Sequence, residues 1–236
     1  MIQDQKISVV IPCFNEEHGI REVLARIPRE VDEVVVADNL SSDDTAAVAR
    51  AGGARVFHAT TRGYGAALKV GFTNATGDIV VTLDGDATYP PEEIPRLVRL
   101  LLERRWEFLT ACRFPLANPA AMGFTNQVGN WVLTFATRVL FFRTLRDSQS
   151  GMWVFHRRIL ERMKLTSDGM ALSEEIKLEA IRLRVPFGEE HIPYGERVGT
   201  VKLQKWRDGF QNLWFLVRKR FAARPDAIKW RARTRT

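Results

Sequence analysis

Asp84-Gly85-Asp86 sets two carboxylates one residue apart, at the end of the β-branched apolar run Ile79-Val80-Val81-Thr82-Leu83. If that run is a buried strand, both acids arrive at its C-terminal edge, where open α/β sheets bind their ligands. Carboxylates in such a place can hold a hard divalent cation, which in turn can hold phosphate oxygens. The spacing leaves open which acid ligates directly. Side chains alternate along an extended chain, so a turn is needed to aim both at one ion. Asp38 closes a second apolar run, Val34-Val35-Val36-Ala37, and is suited to accept hydrogen bonds from a ribose or a base. The first apolar run leads into Pro12-Cys13-Phe14-Asn15-Glu16-Glu17, with no Gly-x-Gly-x-x-Gly fingerprint and no Walker loop. Ordinary dinucleotide and P-loop chemistries are therefore not indicated. His18, His58, His156 and His191 lie far apart and build no metal cluster.

These acids need strands to carry them. Ile7-Ser8-Val9-Val10-Ile11 reads as a first strand. The spacing of Ile20, Val23, Leu24 and Ile27 predicts a helix that Pro28 stops. Residues 32–37 predict a second strand. A helix through Ala46 to Ala51 follows, with Ser41 or Ser42 as its cap and Gly52-Gly53 as its end. Ala54 to His58 gives a third strand, Arg62-Gly63-Tyr64-Gly65 a turn, Ala66 to Thr73 a helix, and Asp78 to Leu83 the fourth strand. Alternation of this kind requires parallel pairing with right-handed crossovers. Pro91 opens another helix, residues 106–111 predict a fifth strand, and Gly123 to Phe142 predicts one or two helices with a large apolar face. Trp131, Phe135, Phe141 and Phe142 on that segment suit a core or an interface equally. Met152 to Phe155 predicts a strand, Ser173 to Ala180 a helix, and Arg184 to Glu190 the last strand.

The 236 residues carry a formal charge of +7, with 45% apolar residues. The charge is concentrated late: Lys202 to Arg235 carries eleven cations against Asp208 and Asp226, interleaved with Trp206, Phe210, Trp214, Phe215, Phe221 and Trp230. Such a segment suits nucleic acid or an anionic membrane surface, with Phe210 to Ala223 lying in the headgroup plane. No zinc-finger or paired aromatic-sheet motif supports specific nucleic-acid binding. The most apolar stretch, Val128 to Phe142, is broken by Asn130, Thr134, Thr137 and Arg138, so no transmembrane span is expected. Cys13 and Cys112 are expected as buried free thiols. Met1 to Lys6 has no signal-peptide pattern, so a cytoplasmic protein is expected, peripheral at the inner face of the membrane. No sequence feature sets an oligomeric state.

Several segments, in order, resemble the family 2 glycosyltransferases of GT-A fold, especially the dolichyl-phosphate and polyprenyl-phosphate sugar transferases. They are Val10 to Glu17, Val36 to Thr45, Arg62 to Leu68, Asp84-Gly85-Asp86, Asp147 to Met152 and Arg197-Val198-Gly199-Thr200-Val201-Lys202-Leu203. The resemblance implies an α/β GT-A domain over residues 1–203, with a mostly parallel sheet flanked by helices. An acceptor-side helical embellishment falls around 123–142, and 204–236 is a basic aromatic amphipathic segment. It implies that Pro12, Asn15, Glu17, Asp38 and Gly65 line the nucleotide pocket and that Asp84 and Asp86 hold Mg2+ or Mn2+. Arg197 and Lys202 then close over the phosphates. Arg113 is expected to orient an acceptor phosphate, and Asp147 to shape the acceptor pocket. The implied reaction is inverting transfer of a hexose from a nucleotide sugar, GDP-mannose or UDP-glucose, to a polyprenyl phosphate. A soluble or glycan hydroxyl acceptor is the alternative, in which case Glu174 or Glu175 offers a base or forms only an exposed acidic helical turn. A catalytically silent membrane-associated scaffold is the non-enzymatic reading, opposed by the intact acidic pair. The chain departs from the pattern at Asn39, where a second acid is common, and at Val201, which removes a hydroxyl. It departs again at Thr88 and Gln127, where relatives often carry Gln and Arg.

Overall fold

The computed structural model describes residues 1–142, 144–199 and 205–221. Seven strands form one sheet in the order β3-β2-β1-β4-β6-β5-β7. The strands are β1 (Ile7–Cys13), β2 (Glu33–Asp38), β3 (Arg55–His58), β4 (Ile79–Thr82), β5 (Phe108–Cys112), β6 (Trp153–His156) and β7 (Phe187–His191). The helices are α1 (Glu17–Ala25), α2 (Thr45–Ala51), α3 (Tyr64–Asn74), α4 (Ile94–Glu103), α5 (Phe124–Phe141), α6 (Leu172–Arg182) and α7 (Lys205–Phe221). The expected α/β GT-A architecture is present. Boundaries move by one to two residues at several strands, and α3 starts inside the expected turn.

Strand alternation splits the core into two layers. Val9 and Ile11 join Ile20 and Val23 of α1, Ala49 of α2 and Leu97, Val98 and Leu101 of α4 on one face. Val10 joins Leu68 and Phe72 of α3 and Ile176 and Ala180 of α6 on the other. Pro12 is tolerated in a central strand because β4 pairs with β1 only as far as Val10↔Thr82. Beyond that point no neighbour on the β4 side needs its missing N–H.

One strand reverses. β6 runs antiparallel to both β4 and β5, while β7 runs parallel to β5. The segment before β6 therefore enters at the edge where β1, β2, β4, β5 and β7 end. Asp38, Asp84, Asp86, Arg113, Asp147 and Arg197 all meet there.

At the opposite edge Glu33 ties three strands together. It accepts from Ser8 Oγ, from Thr76 N and Oγ1, from Gly77 N and from Arg55 Nη1. Burial opposes its charge, but the bonds from Ser8, Thr76 and Arg55 outweigh that and lower its carboxyl to about 2. A carboxyl lowered on folding stabilises the fold above its unfolded pKa and loses that contribution as pH falls through the folded value. Stability should therefore decline between about pH 4.5 and about pH 2 in the native chain. Glu33→Gln should cost about 2 kcal/mol at neutral pH and flatten that decline. Urea midpoints measured across this range check both; identical pH profiles for the two proteins would remove Glu33 from the account.

The described part of the basic aromatic segment is not a free tail. In α7, Leu216 packs with Leu133 of α5 and Leu178 of α6. Lys219 Nζ lies 2.8 Å from Glu175 Oε1 and 2.8 Å from Glu179 Oε1, with its side chain 10% exposed. Lys219, expected beside anionic lipid, instead neutralises two buried carboxylates. The helix thus packs against α5 and α6 through both apolar and charged contacts. α5 is one helix of 18 residues, burying Asn130, Leu133, Thr134 and Thr137 and exposing Phe124, Trp131 and Phe135. No helix among the described residues is long and apolar enough to cross a membrane.

Candidate active site

β4 leads into the acidic corner expected to hold the metal. Asp84 and Asp86 follow it, and Ala87 adopts φ +64°, a left-handed turn that swings Asp86 back toward the strand ends. Asp86 is buried, and its Oδ1 accepts from Thr88 N at 3.0 Å and Thr88 Oγ1 at 2.6 Å. Its Oδ2 lies 2.5 Å from Arg197 Nη2. Val198 N donates to Asp86 O at 2.9 Å, so the segment after β7 is stitched to this turn by backbone as well. Asp84 Oδ1 accepts from Tyr64 Oη at 3.2 Å. Burial, then the neighbouring charge of Asp86, raises Asp84 to about 7. Two carboxylates that repel each other in a half-buried corner are the arrangement a divalent cation relieves. No group of three or more His, Cys, Asp or Glu side chains suited to a metal exists among the described residues. Two carboxylates plus water and a ligand diphosphate is a coordination habit of Mg2+, so the residues fit such an ion.

Helix α1 is pressed against this corner. A Cβ on Gly19 would stand 2.4 Å from Gly85 O and 2.9 Å from Asp86 Cα. Helix propensity alone favours Gly19→Ala by about 1 kcal/mol, but the clash is with backbone and cannot be relieved by a rotamer. We expect the substitution to lower stability by about 1–3 kcal/mol and to weaken metal binding. Thermal melts with and without Mn2+ decide it; a stabilised protein with unchanged Mn2+ response would show that the corner moves freely.

The nucleotide side is built from loops that hold one another. Asn15, at φ +52°, accepts from Ser42 N at 2.7 Å through Oδ1, and its own N–H donates to Ser41 Oγ at 3.0 Å. Glu17 Oε2 accepts from Asp44 N at 3.2 Å. Both residues thus lock the loops after β1 and β2 together beside Asp38. Neither expected serine caps α2: its N-cap is Asp44, and the Thr45 N–H donates to Asp43 Oδ1 at 3.1 Å. Asp38 is buried; its Oδ2 pairs with His58 Nδ1 at 3.1 Å and its Oδ1 has no hydrogen-bond partner. That oxygen is the natural acceptor for a ligand N–H or hydroxyl. Asn39, a departure in sequence, has a local reason. Its Nδ2 donates to Thr61 O and its Oδ1 accepts from Gly63 N, a pair of roles an aspartate cannot fill. A Cβ on Gly65 would stand 2.5 Å from Ser167 O and 2.9 Å from Leu172 Cβ. The smallness of Gly65 therefore admits the segment before α6.

The acceptor side differs most from expectation. Arg113 is buried and its Nε and Nη2 donate to Asp147 at 2.7 and 2.9 Å, with Nη2 also 3.0 Å from Asn130 Oδ1. Tyr194 lies beneath it, 5.3 Å from the guanidinium carbon. Burial opposes the charge of Asp147, yet Arg113 holds its carboxyl below the usual range. Asp147 and Asn130 take the Nε and Nη2 donors of Arg113, so the guanidinium is held in one orientation. Glu174 and Glu175 are buried, correcting the exposed acidic turn. Glu175 accepts from Thr166, Ser167 and Lys219, while Glu174 accepts from Gln149 Nε2 and is raised to about 8 by burial. Lys202 lies outside the described residues. Gly19 contributes here with no motif to single it out, Tyr64 lies inside the resembling Arg62–Leu68 segment without being given a role, and Thr88 stood out only as a departure from the family pattern.

A mixed sheet with an acidic corner, a half-free buried acid and a crossing arginine at one edge defines a GT-A glycosyltransferase. The chain belongs to glycosyl transferase family 2, whose family model matches residues 8–164. It is 32% identical over 206 residues to the dolichyl-phosphate hexose transferase of Haloferax volcanii, covering 86% of this chain and 89% of that one. It is also 32% identical to a low-salt glycan biosynthesis hexosyltransferase of the same organism, covering 89% of this chain but spanning only 53% of that relative. Similar solved structures include the glucosyl-3-phosphoglycerate synthase of Mycobacterium tuberculosis with Mn2+, UDP-glucose and phosphoglyceric acid. That match has a TM-score of 0.73 and 25% identity, over 92% of this chain and 80% of that one. The same enzyme with UDP gives a TM-score of 0.74 at 25% identity, with the same coverage. These structures overturn the expected polyprenyl-phosphate acceptor and anionic-membrane partner, since their acceptor is a small water-soluble phosphorylated acid.

Proposed function

We propose that this glycosyltransferase moves a hexosyl group from a nucleoside diphosphate sugar, UDP-glucose first, to a hydroxyl of a small phosphorylated acid. The observation that carries the reading is the convergence of Asp38, Asp84, Asp86 and Arg197 on one sheet edge, stitched by the Val198 N–H to Asp86 O bond. Breaking the sugar–phosphate bond develops negative charge on the leaving nucleoside diphosphate. A divalent cation at Asp84 and Asp86 would neutralise that charge as it forms. Asp38 Oδ1 would accept from the nucleobase or ribose and set the donor's register. Arg197, bridging Asp86 and Glu16, would face the diphosphate from the opposite side. Fixed charges at a buried edge lower the barrier because they need not reorganise during the reaction. The Arg113–Asp147 pair would form a rigid wall on the acceptor side.

The test incubates the full chain with Mn2+, a panel of nucleotide sugars and phosphoglyceric acid, reading products by mass spectrometry and anomeric configuration by NMR. Glucosylated phosphoglycerate with UDP release supports the reading. Release of UDP without transfer to this or related small phosphorylated acids would refute the acceptor, and no turnover of any nucleotide sugar would refute the donor.

A further inference from the structure

The turn from Asp147 to Gly151 sits beside Asp84, and what holds it from behind is a buried lysine. Lys177, in the middle of α6, is 0% exposed. Its Nζ donates to Ser148 O at 2.6 Å and Ser150 O at 2.7 Å, and lies 5.6 Å from the Trp153 ring. Both carbonyls belong to the turn, whose backbone lies outside the ladder of β6. Beyond those bonds, Trp153 Nε1 also donates to Ser150 O, and Gly151 N donates to Tyr89 Oη. The charged groups that bear on Lys177 are Asp147 in the turn, Arg113 on the β5 side, Glu174 on α6 and Glu189 on β7. Burying an ammonium costs several kcal/mol unless oxygens surround it, so an apolar residue would be the default in this core. Other buried polar residues of α6 face elsewhere: Glu175 and Glu179 bind the 164–167 segment and Lys219. Lys177 and Glu174 alone of these are aimed at the turn, Glu174 through Gln149, which Asn212 of α7 also reaches at 3.4 Å.

We propose that Lys177 is a positioning residue for the acceptor, clamping the Ser148 and Ser150 carbonyls so that the Asp147–Gly151 turn keeps one conformation against Asp84. This inference rests on the glycosyl-transfer reading for its kinetic test but not for its structural one. The ammonium does not touch substrate. It fixes the turn that lies beside Asp84, and a misplacement of about 1 Å in such a site costs roughly a hundredfold.

Two variants and two readouts test the clamp. Lys177→Met keeps the length and apolar packing but removes every donor; Lys177→Arg keeps charge and donors. Expected for Lys177→Met is a fall in kcat/KM of roughly a hundredfold, expressed mainly in acceptor KM, with Mn2+-dependent UDP affinity within about twofold of native. Lys177→Arg should recover part of the loss. Independently of any acceptor, hydrogen exchange at the amides of Ser148, Gln149 and Gly151 should accelerate at least about tenfold in Lys177→Met. If native protein fails to glucosylate phosphoglycerate while exchange accelerates, the acceptor assignment fails and the clamp stands. Unchanged exchange with unchanged acceptor KM overturns the clamp. So does equal loss of donor and acceptor affinity, or failure of both variants to fold, since either makes Lys177 a general stability residue.

Discussion

Asp86→Asn should reduce kcat by about a hundred- to a thousandfold, roughly 3–4 kcal/mol of transition-state stabilisation, while the protein keeps its fold. An asparagine retains an oxygen for the Thr88 N–H and hydroxyl, so the turn after β4 survives. It forfeits the charge that would hold the cation and that now balances Arg197 at 2.5 Å. The freed guanidinium stays in the corner and opposes a cation there. Mn2+ affinity in the presence of UDP should therefore fall together with turnover, a combination that loss of an ordinary hydrogen bond does not produce. Calorimetric titration of Mn2+ and steady-state rates on the same preparation measure both. Native turnover and native Mn2+ affinity in this variant would remove Asp86 from the metal site.

The second large effect belongs to the Arg113–Asp147 pair. The two side chains are 7% and 0% exposed, so neither survives without the other. Arg113→Met or Asp147→Leu alone should cost about 3–5 kcal/mol, because each leaves an uncompensated buried charge. The double replacement should recover much of that, since apolar residues can fill the site without a desolvation penalty. Activity should not recover, because Asp147 Oδ1 also accepts from Gln149 N at 3.1 Å and shapes the turn. Urea midpoints of the three variants form a double-mutant cycle; additive losses would mean that the pair is not coupled. The carboxyl of Asp147, depressed on folding, contributes above its unfolded pKa, and that contribution is lost as pH falls through its folded value.

The donor half of the site was legible because it is local in sequence. Asp38 and Asp84-Gly85-Asp86 sit at the ends of β-branched runs, and a parallel sheet sends all such ends to one edge. The acceptor half was not. Arg113 and Asp147 each look like a free charged group at a strand end, and nothing in 33 intervening residues says that they meet. The acidic helix Leu172–Arg182 reads as an exposed face by composition, yet Ser173, Glu174, Glu175, Lys177 and Glu179 are all buried. Their partners lie in Gln149, Thr166, Lys219 and the carbonyls of Ser148 and Ser150, supplied by segments that only packing assembles.

Taken by itself, the sequence determined the alternating α/β order, the acidic corner and Asp38 beside it, since hydrophobic period and strand-end position are short-range properties. The tertiary structure alone decided that β6 reverses, which carries the Asp147–Gly151 turn to the catalytic edge. It also decided that α7 packs on α5 and α6 with Lys219 between two buried carboxylates, and that Arg113 pairs with Asp147. The physical reason is the same in each case. A charge is indifferent to its neighbours in the chain, but once buried it must find an opposite charge or a hydrogen-bonding oxygen in space.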